Sequence, residues 1–186
     1  MPRLDPIDPQ TAGPAAKPLL DRVQRALGVT PNMMRTMAQS PAALDAYLAM
    51  SGALSRGSLG AAAGEQIALL VAEENGCGYC AAAHTALGAG AGLSGDALDA
   101  ARNGDAADPA TQAALTLART VVATRGHVAD RDVARALAAG LTQGQVAEVV
   151  AHVGLNVFTN YFNSLADTEL DFPAVRPTRG VATAAA

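Results

Sequence analysis

Signals that start and stop helices recur along the whole chain and leave little room for any other kind of element. At several positions a residue that caps helix N-termini precedes proline, which is well tolerated at the first helical position. Glycines, which readily end helices, follow at matching distances. The cap–proline pairs are Thr30-Pro31, Ser40-Pro41 and Asp108-Pro109; Ser94 and Thr142 are further caps; the stops are Gly28, Gly57, Gly92, Gly104, Gly126 and Gly140. These signals predict helices at 15–27, 31–39, 41–56, 61–74, 77–91, 95–103, 109–125, 130–139 and 142–165.

Apolar residues between these signals are also spaced for helices. Val146, Val149, Val150, Val153 and Val157, for example, recur along one face of 142–165. Half of the residues are hydrophobic but only 3% are aromatic, so the core consists of Ala, Leu and Val, which suits close helix packing. No stretch shows strand alternation, and the short links favour antiparallel neighbours. We therefore predict an all-α fold, a single-domain antiparallel helical bundle.

The length of 186 residues fits one domain with a real core. Residues 1–14 hold four prolines and are predicted to form an N-terminal arm. The helical domain should span 15–165, and 166–186 should form an extended or mobile C-terminal tail.

Charge and the N-terminal sequence narrow the partners and the compartment. Thirteen basic and seventeen acidic residues give a net charge of −4 without any basic block, so we expect no nucleic-acid partner. Charges interrupt every alanine-rich stretch, so we expect no membrane span. The first residues lack the apolar run of a secretory signal, which predicts a cytoplasmic protein. In a reducing compartment two cysteines are more often reactive or metal-binding than structural.

The segment from Cys77 to His84 carries the chemistry. On a helix beginning near residue 77, Cys77, Cys80 and His84 fall within a sector of roughly 60°. Asn75-Gly76 breaks the preceding helix, so both thiols lie near a helix N-terminus, which favours a thiolate. His84 is placed to accept a thiol proton, and two thiols three residues apart permit reversible disulfide formation.

Several assignments stay open on the residues alone. The helix dipole favours Cys77 as the nucleophile, whereas contact with His84 favours Cys80. Glu65 on the preceding helix is the candidate to orient His84, with Glu73 and Glu74 as competitors. Zinc bound by the cysteines and His84, with Glu65, His127 or His152 as fourth ligand, is an alternative, and a purely structural buried set is another. We predict neither a metal nor a cofactor.

Other conspicuous residues have structural interpretations. His152 is expected to be a hydrogen-bonded core histidine more often than a catalytic one, and His127 to face solvent. Four methionines at helical spacing are predicted to fill gaps in the core, with the lining of a peroxide pocket as the alternative: Met33, Met34, Met37 and Met50. Tyr161 and Phe162 are candidates to cover the site or a subunit interface.

Glu65, Cys77, Cys80 and His84 together read E-x(11)-C-x-x-C-x-x-x-H. At these residues the chain resembles the alkylhydroperoxidase D and carboxymuconolactone decarboxylase superfamily. Looser similarity extends through the lead-in helices at 27–33 and 40–41 and the final helix at 148–163. The resemblance implies an alkylhydroperoxidase D-like fold and a homo-oligomer, trimer or hexamer.

The resemblance also implies roles for the residues. Cys80 would attack the peroxide, Cys77 would resolve it, and Glu65 with His84 would relay the proton. Alkylhydroperoxidase D enzymes carry histidine just before the second cysteine, where this chain has Tyr79, a poor base that still donates a hydrogen bond. Tyr79 and His152 are therefore supporting candidates.

The predicted function is reduction of a hydroperoxide substrate by the Cys77/Cys80 pair. The implied partner is a dithiol reductant, either a lipoylated or a thioredoxin-like protein. Two alternatives are kept. One is a lyase of the carboxymuconolactone decarboxylase type, working by acid–base chemistry without cysteines, and the other is a non-catalytic thiol redox sensor.

Overall fold

A computed structural model describes residues 1–179 of the chain and contains, within that range, helices and connecting segments but no strand. The predicted all-α class is confirmed, and every helix boundary lies within two residues of its predicted position. The helices are α1 (Lys17–Leu27), α2 (Asn32–Met37), α3 (Pro41–Leu54), α4 (Ala61–Glu74), α5 (Gly78–Gly90), α6 (Gly95–Asn103), α7 (Pro109–Thr124), α8 (Asp130–Ala138) and α9 (Gln143–Ala166).

Most of the predicted N-caps make the expected hydrogen bonds. The side chains of Ser40, Ser94 and Asp108 each accept from the backbone N–H three residues on. Thr142 forms a complete capping box with Gln145 at the start of α9. These caps are local, which is why the sequence alone located the helix starts so closely.

Thr30 was wrong as a cap. The α2 helix begins at Asn32, and the Thr30 hydroxyl instead donates to the Gln24 side chain at 2.8 Å. The N–H of Asn32 donates to a carboxylate oxygen of Asp171, 2.9 Å away and 139 residues later in the chain. A remote residue therefore supplies the acceptor that the sequence assigned to a local one.

Helix α4 is the centre of the fold and packs against α5, α6, α7 and α9. Its residues from Gln66 to Glu73 are all buried, including the fully buried Ile67 and Leu70. The helix following it, α5, starts after the short Asn75–Cys77 link, so the cysteine motif is fixed directly to the most buried helix. This arrangement holds the site on a rigid support.

Both ends of the described chain lie against the helical body. In the N-terminal arm, Ile7 and Ala12 pack onto the core cluster that contains the cysteines. Residues 167–179, here called the C-terminal segment, run without helix across the start of α5, and Phe172 and Val175 pack onto the same cluster. The last part of the predicted tail, 180–186, lies outside the described residues. None of the helices described is long and apolar enough to cross a membrane.

Candidate active site

The two cysteines lie at the start of α5 and form a disulfide, with their Cα atoms 5.3 Å apart. Cys77 is the N-cap, and its sulfur accepts a hydrogen bond from the Cys80 backbone N–H at 3.3 Å. Both side chains are nearly inaccessible, at 2% exposure for Cys77 and 3% for Cys80. Reagents must therefore reach the sulfurs through an internal space or through local opening.

An internal cavity of about 420 Å³ provides that space for Cys80 but not for Cys77. Cys80, Glu65 and His84 all border it, whereas Cys77 does not. The cavity opens to the surface beside Leu27 and Leu87, which are exposed and form part of its wall. The remaining wall is largely apolar and includes Val29, Pro31, Met33, Met34, Leu54, Ala68, Ala83, Leu155 and Phe172.

A hydrogen-bonded pair lies on the cavity wall beside Cys80. His84 Nδ1 lies 2.8 Å from Glu65 Oε2, with both side chains about one-fifth exposed. Because His84 is one helical turn after Cys80, the imidazole and the sulfur share a face of α5. The bond to Glu65 fixes the ring and leaves its Nε2 atom to exchange a proton with a group in the cavity.

The two competing glutamates are committed elsewhere. Buried Glu73 accepts from the Thr178 hydroxyl at 2.7 Å and from the Arg102 Nε atom at 3.1 Å. Burial raises the pKa of Glu73, but the hydrogen bonds from Thr178 and Arg102 outweigh burial and leave it below its usual value. Glu74 pairs with Arg119 at 2.9 Å. Of the three, only Glu65 reaches His84.

His152 borders the cavity instead of occupying the core, contrary to the expectation from sequence. Burial lowers its pKa, partly offset by the charges of Glu148 and Glu65, so the ring is neutral at neutral pH. The space for the imidazole depends on Gly64, where a Cβ would lie 3.0 Å from the His152 Cε1 atom. His152 thus adds a neutral polar group to the cavity wall.

Tyr79 also borders the cavity, but its hydroxyl is committed to the C-terminal segment. It donates to Asp171 at 2.6 Å and accepts from the Met33 backbone N–H at 3.3 Å. Burial, and then the hydrogen bond to Asp171, raise the pKa of Tyr79 far above its usual value, so it stays protonated. Phe172 packs edge-on against its ring, with centroids 6.2 Å apart.

Two buried asparagines of α9, which sequence analysis did not assign to the site, face the cysteine motif. Asn163 Nδ2 lies 3.4 Å from the Cys80 sulfur, and Asn160 Oδ1 accepts from the Asn75 side chain at 2.9 Å. The available signal was their repeated occurrence, with Asn156, in an otherwise apolar helix. Asp171 gave no such signal, because its partners are distant in sequence.

The remaining candidates lie in varied places. Met33 and Met34 are core residues that also border the cavity, and Met37 is buried, but Met50 is exposed, so its predicted core position was wrong. His127 is exposed, as predicted. Tyr161 is exposed while Phe162 packs on the core. Within residues 1–179, no group of three or more His, Cys, Asp or Glu side chains is arranged to hold a metal ion.

Residues 41–123, from α3 to the last turn of α7, match the carboxymuconolactone decarboxylase family. This range contains Glu65, Cys77, Cys80 and His84. No curated protein sequence significantly matches the chain. The sequence pattern is therefore recognised at the level of the family.

Solved structures show the same fold. The alkylhydroperoxidase D core of an uncharacterized peroxidase-related protein from Ralstonia eutropha JMP134 matches with a TM-score of 0.82 and 20% identity, over 91% of this chain and 92% of that one. An uncharacterized peroxidase-related protein from Silicibacter sp. TM1040 gives a TM-score of 0.76 and 20% identity, over 89% and 91%. The debrominase Bmp8, as a cysteine-to-alanine variant in complex with 2,3,4-tribromopyrrole, matches with a TM-score of 0.76 and 19% identity, over 90% of this chain and 91% of that one.

The family match contains the whole cysteine motif, and the fold match extends over nine-tenths of the chain. Residues 41–123 of the chain therefore match the carboxymuconolactone decarboxylase family, and the fold is that of alkylhydroperoxidase D-like, peroxidase-related structures.

Proposed function

We propose that the protein is a thiol-dependent hydroperoxide reductase in which Cys80 is the attacking sulfur. The observation that carries the proposal is the asymmetry of the cysteine pair. Cys80 borders the cavity together with the Glu65–His84 pair, whereas Cys77 is bonded to Cys80 but lies outside the cavity wall. A substrate in the cavity would contact the nucleophile Cys80 and the proton carrier His84. Cys77 would lie within bonding distance of Cys80 but out of contact with the substrate.

In the first step, the reduced Cys80 thiol gives its proton to His84, and the thiolate attacks the terminal oxygen of the hydroperoxide. The O–O bond breaks, an S–O bond forms, and the departing alkoxide takes the proton from His84 to leave as an alcohol. Glu65 holds the imidazole and stabilises its charged form.

In the second step, the Cys77 thiolate attacks the sulfur of the Cys80 sulfenic acid. An S–S bond forms, the S–O bond breaks, and the oxygen leaves as water with the proton that the Cys77 thiol gave up, which returns the protein to the disulfide state described above. Over the two steps, the two cysteine thiols together lose two electrons and the hydroperoxide gains two electrons.

An external dithiol must then reduce the disulfide. The buried position of both sulfurs favours a dithiol carried on a slender arm, such as a lipoyl group, which would enter through the cavity and attack Cys80. A thioredoxin-like protein would need the C-terminal segment to move before its broad surface reached Cys77. We therefore propose the lipoylated class of reductant over the thioredoxin-like class.

The test uses the reduced full-length protein and one equivalent of cumene hydroperoxide. We expect the loss of two thiols per chain and a mass change of about −2 Da, as disulfide formation requires. Cys77→Ser should accumulate a Cys80 sulfenic acid that dimedone traps, and Cys80→Ser should consume no peroxide. Undiminished peroxide consumption by Cys80→Ser would overturn the proposal.

A second candidate uses the same pair for reductive dehalogenation of a small aromatic ring. The observation that favours it is the size and apolar wall of the cavity, which exceed what a peroxide group alone requires. A ring C–Br bond would become C–H, the two thiols would become a disulfide, and HBr would leave, which balances a two-electron reduction. Incubating the reduced protein with 2,3,4-tribromopyrrole and measuring released bromide distinguishes this candidate from the first.

The two remaining alternatives are separate outcomes of the same tests. Activity of a cysteine-free variant on a muconolactone would favour the lyase. Stoichiometric disulfide formation without turnover under any dithiol would favour the redox sensor.

We also propose that the protein is a homo-oligomer. Val150, Phe158, Tyr161 and Leu165 recur along α9, and all four are at least 40% exposed. Such a row of exposed apolar residues is typical of an interface between copies of a chain. Light scattering of the wild type and of Tyr161→Glu tests this proposal, which predicts a smaller particle for the variant.

A further inference from the structure

A buried amide contacts the Cys80 sulfur from the side of α9. Asn163 Nδ2 lies 3.4 Å from Cys80 Sγ, and both side chains are only 3% exposed. The sulfur of a disulfide or of a thiolate carries no hydrogen and only accepts. The amide group must therefore present its NH₂ to the sulfur.

This contact leaves the other end of the Asn163 side chain without a partner. Its Oδ1 atom is buried and accepts no hydrogen bond within the described residues. An unpaired buried carbonyl destabilises the fold, and an apolar side chain of similar size would avoid that cost. The presence of asparagine is better explained by the state of the sulfur than by packing.

The two sulfurs have different hydrogen-bond donors. Cys77 accepts from a backbone N–H at the start of α5, so the helix terminus serves that sulfur. Cys80 accepts from Asn163 instead. Each sulfur thus has its own donor, one from the helix terminus and one from a side chain of α9.

We propose that Asn163 is a catalytic residue that stabilises the thiolate of Cys80 in the reduced protein. A hydrogen bond donated to the charged form of a group favours that form, and bonds to charged groups in buried surroundings are the stronger ones. Asn163 acts beside the His84–Glu65 pair: the histidine takes the proton, and the amide holds the charge that remains. This role rests on the proposed use of Cys80 as the attacking sulfur.

The test measures Cys80 ionisation without any peroxide. In a Cys77→Ser background, Cys80 is the only thiol, and its rate of alkylation by iodoacetamide against pH reports the thiolate fraction. Replacing Asn163 by leucine, which has a similar volume and no donor, should shift the profile to higher pH. We expect the rate at neutral pH to fall roughly ten-fold, the effect of one lost charge-assisted hydrogen bond.

Asn160→Leu in the same background is the matched control. Asn160 is equally buried, lies one turn earlier on α9 and bonds to Asn75 rather than to sulfur. We expect a loss of stability, because the Asn75 amide loses its acceptor, but no shift of the alkylation profile. Should Asn163→Leu not fold, Asn163→Ala removes the donor without adding bulk, and it must shift the profile upward as well.

An alkylation profile that is the same with and without the Asn163 amide, in folded variants, would overturn the proposal. Failure of the proposed function would look different. In that case the Cys77→Ser background would still show the amide-dependent profile, but cumene hydroperoxide would not consume the thiols of the wild-type protein.

Discussion

The two sides of the Cys77–Cys80 disulfide are built differently. On the Cys80 side lies an open cavity with the Glu65–His84 pair on its wall. On the Cys77 side the C-terminal segment crosses the start of α5, where a Cβ on Gly78 would lie 3.7 Å from the Val175 carbonyl oxygen. Two bonded cysteines three residues apart can therefore differ in access. Cys80 borders a cavity that small molecules can enter, whereas the C-terminal segment covers the helix start at Cys77, and this cover is here called the seal.

The seal is fastened on both sides of Cys77. Before Cys77 in the chain, buried Glu73 accepts a hydrogen bond from the Thr178 hydroxyl. Arg102, which also bonds to Glu73, donates from its guanidinium to the Arg176 carbonyl at 2.8 Å. Downstream, Asp171 accepts from the Tyr79 hydroxyl. The segment is therefore attached to residues on either side of Cys77, and these attachments can be removed one at a time.

The largest expected effect is the difference in reactivity between the two thiols. In reduced Cys77→Ala, Cys80 should react with N-ethylmaleimide through the cavity. In reduced Cys80→Ala, the labelling rate of Cys77 should be lower than that of Cys80 by a factor of roughly 100 or more, because a covered group reacts only when the structure opens locally. Mass spectrometry of timed samples measures both rates.

Labelling in denaturant is the control for that comparison, because both thiols should then react alike. Equal labelling rates in the native variants would show that the two sides do not differ in access.

Removing the Asp171 carboxylate should weaken the seal. Asp171→Ala loses the acceptor for the Tyr79 hydroxyl and for the Asn32 N–H, so we expect a loss of about 1–3 kcal/mol in the free energy of unfolding. Labelling of Cys77 in the Cys80→Ala background should become faster in parallel. Tyr79→Phe spares the Asn32 bond but loses both hydrogen bonds of the hydroxyl, to Asp171 and from the Met33 N–H, so it should change urea unfolding and labelling by a similar amount.

A weaker, pH-dependent effect is expected at the upstream attachment. The folded-state pKa of Glu73 is lowered, so its ionised form contributes stability above the pKa of the unfolded chain. That contribution is lost as the pH falls through the lowered folded value. Urea unfolding at neutral and acid pH should therefore show a smaller loss with acid for Glu73→Gln than for the wild type. An identical acid dependence in the two proteins would remove Glu73 from the seal.

Local signals explain how much of the fold was predictable. Ser40, Asp108 and Thr142 each cap a helix by accepting from the backbone N–H three residues on. The local sequence is therefore enough to predict where these helices start. Thr30 failed because its helix is capped by Asp171, and no local pattern reveals a partner 139 residues distant. A capping partner close in sequence can therefore be predicted, whereas one supplied by a tertiary contact cannot, even where the helix start itself was predicted to within one residue.

The same distinction applies to the site. The shared face of Cys77, Cys80 and His84 follows from helical spacing, and the family pattern singled out Glu65 among three glutamates. Contacts from α9 were not predictable, since Asn163 lies 83 residues from Cys80. His152 was misjudged because its position depends on the missing side chain of Gly64, a property of two helices in contact.

The smallest expected effect comes from Gly64→Ala, which alters the cavity side alone. The added methyl would lie 3.0 Å from the His152 Cε1 atom, so the imidazole must shift by a few tenths of an ångström along the cavity wall. Alanine also improves helix propensity by up to about 1 kcal/mol, which offsets the strain and leaves stability nearly unchanged. We expect a change in KM for cumene hydroperoxide, with little change in the alkylation rate of Cys80.

Gly52→Ala is the matched control, because a Cβ there meets only the Arg56 guanidinium at 3.9 Å in helix α3. It should gain a similar helix propensity with no change in KM. If both variants leave KM untouched, the wall near His152 does not contact the substrate, and the functional part of the cavity narrows to the surroundings of Cys80 and His84. If both variants change KM equally, the effect arises from helix stability and not from the imidazole.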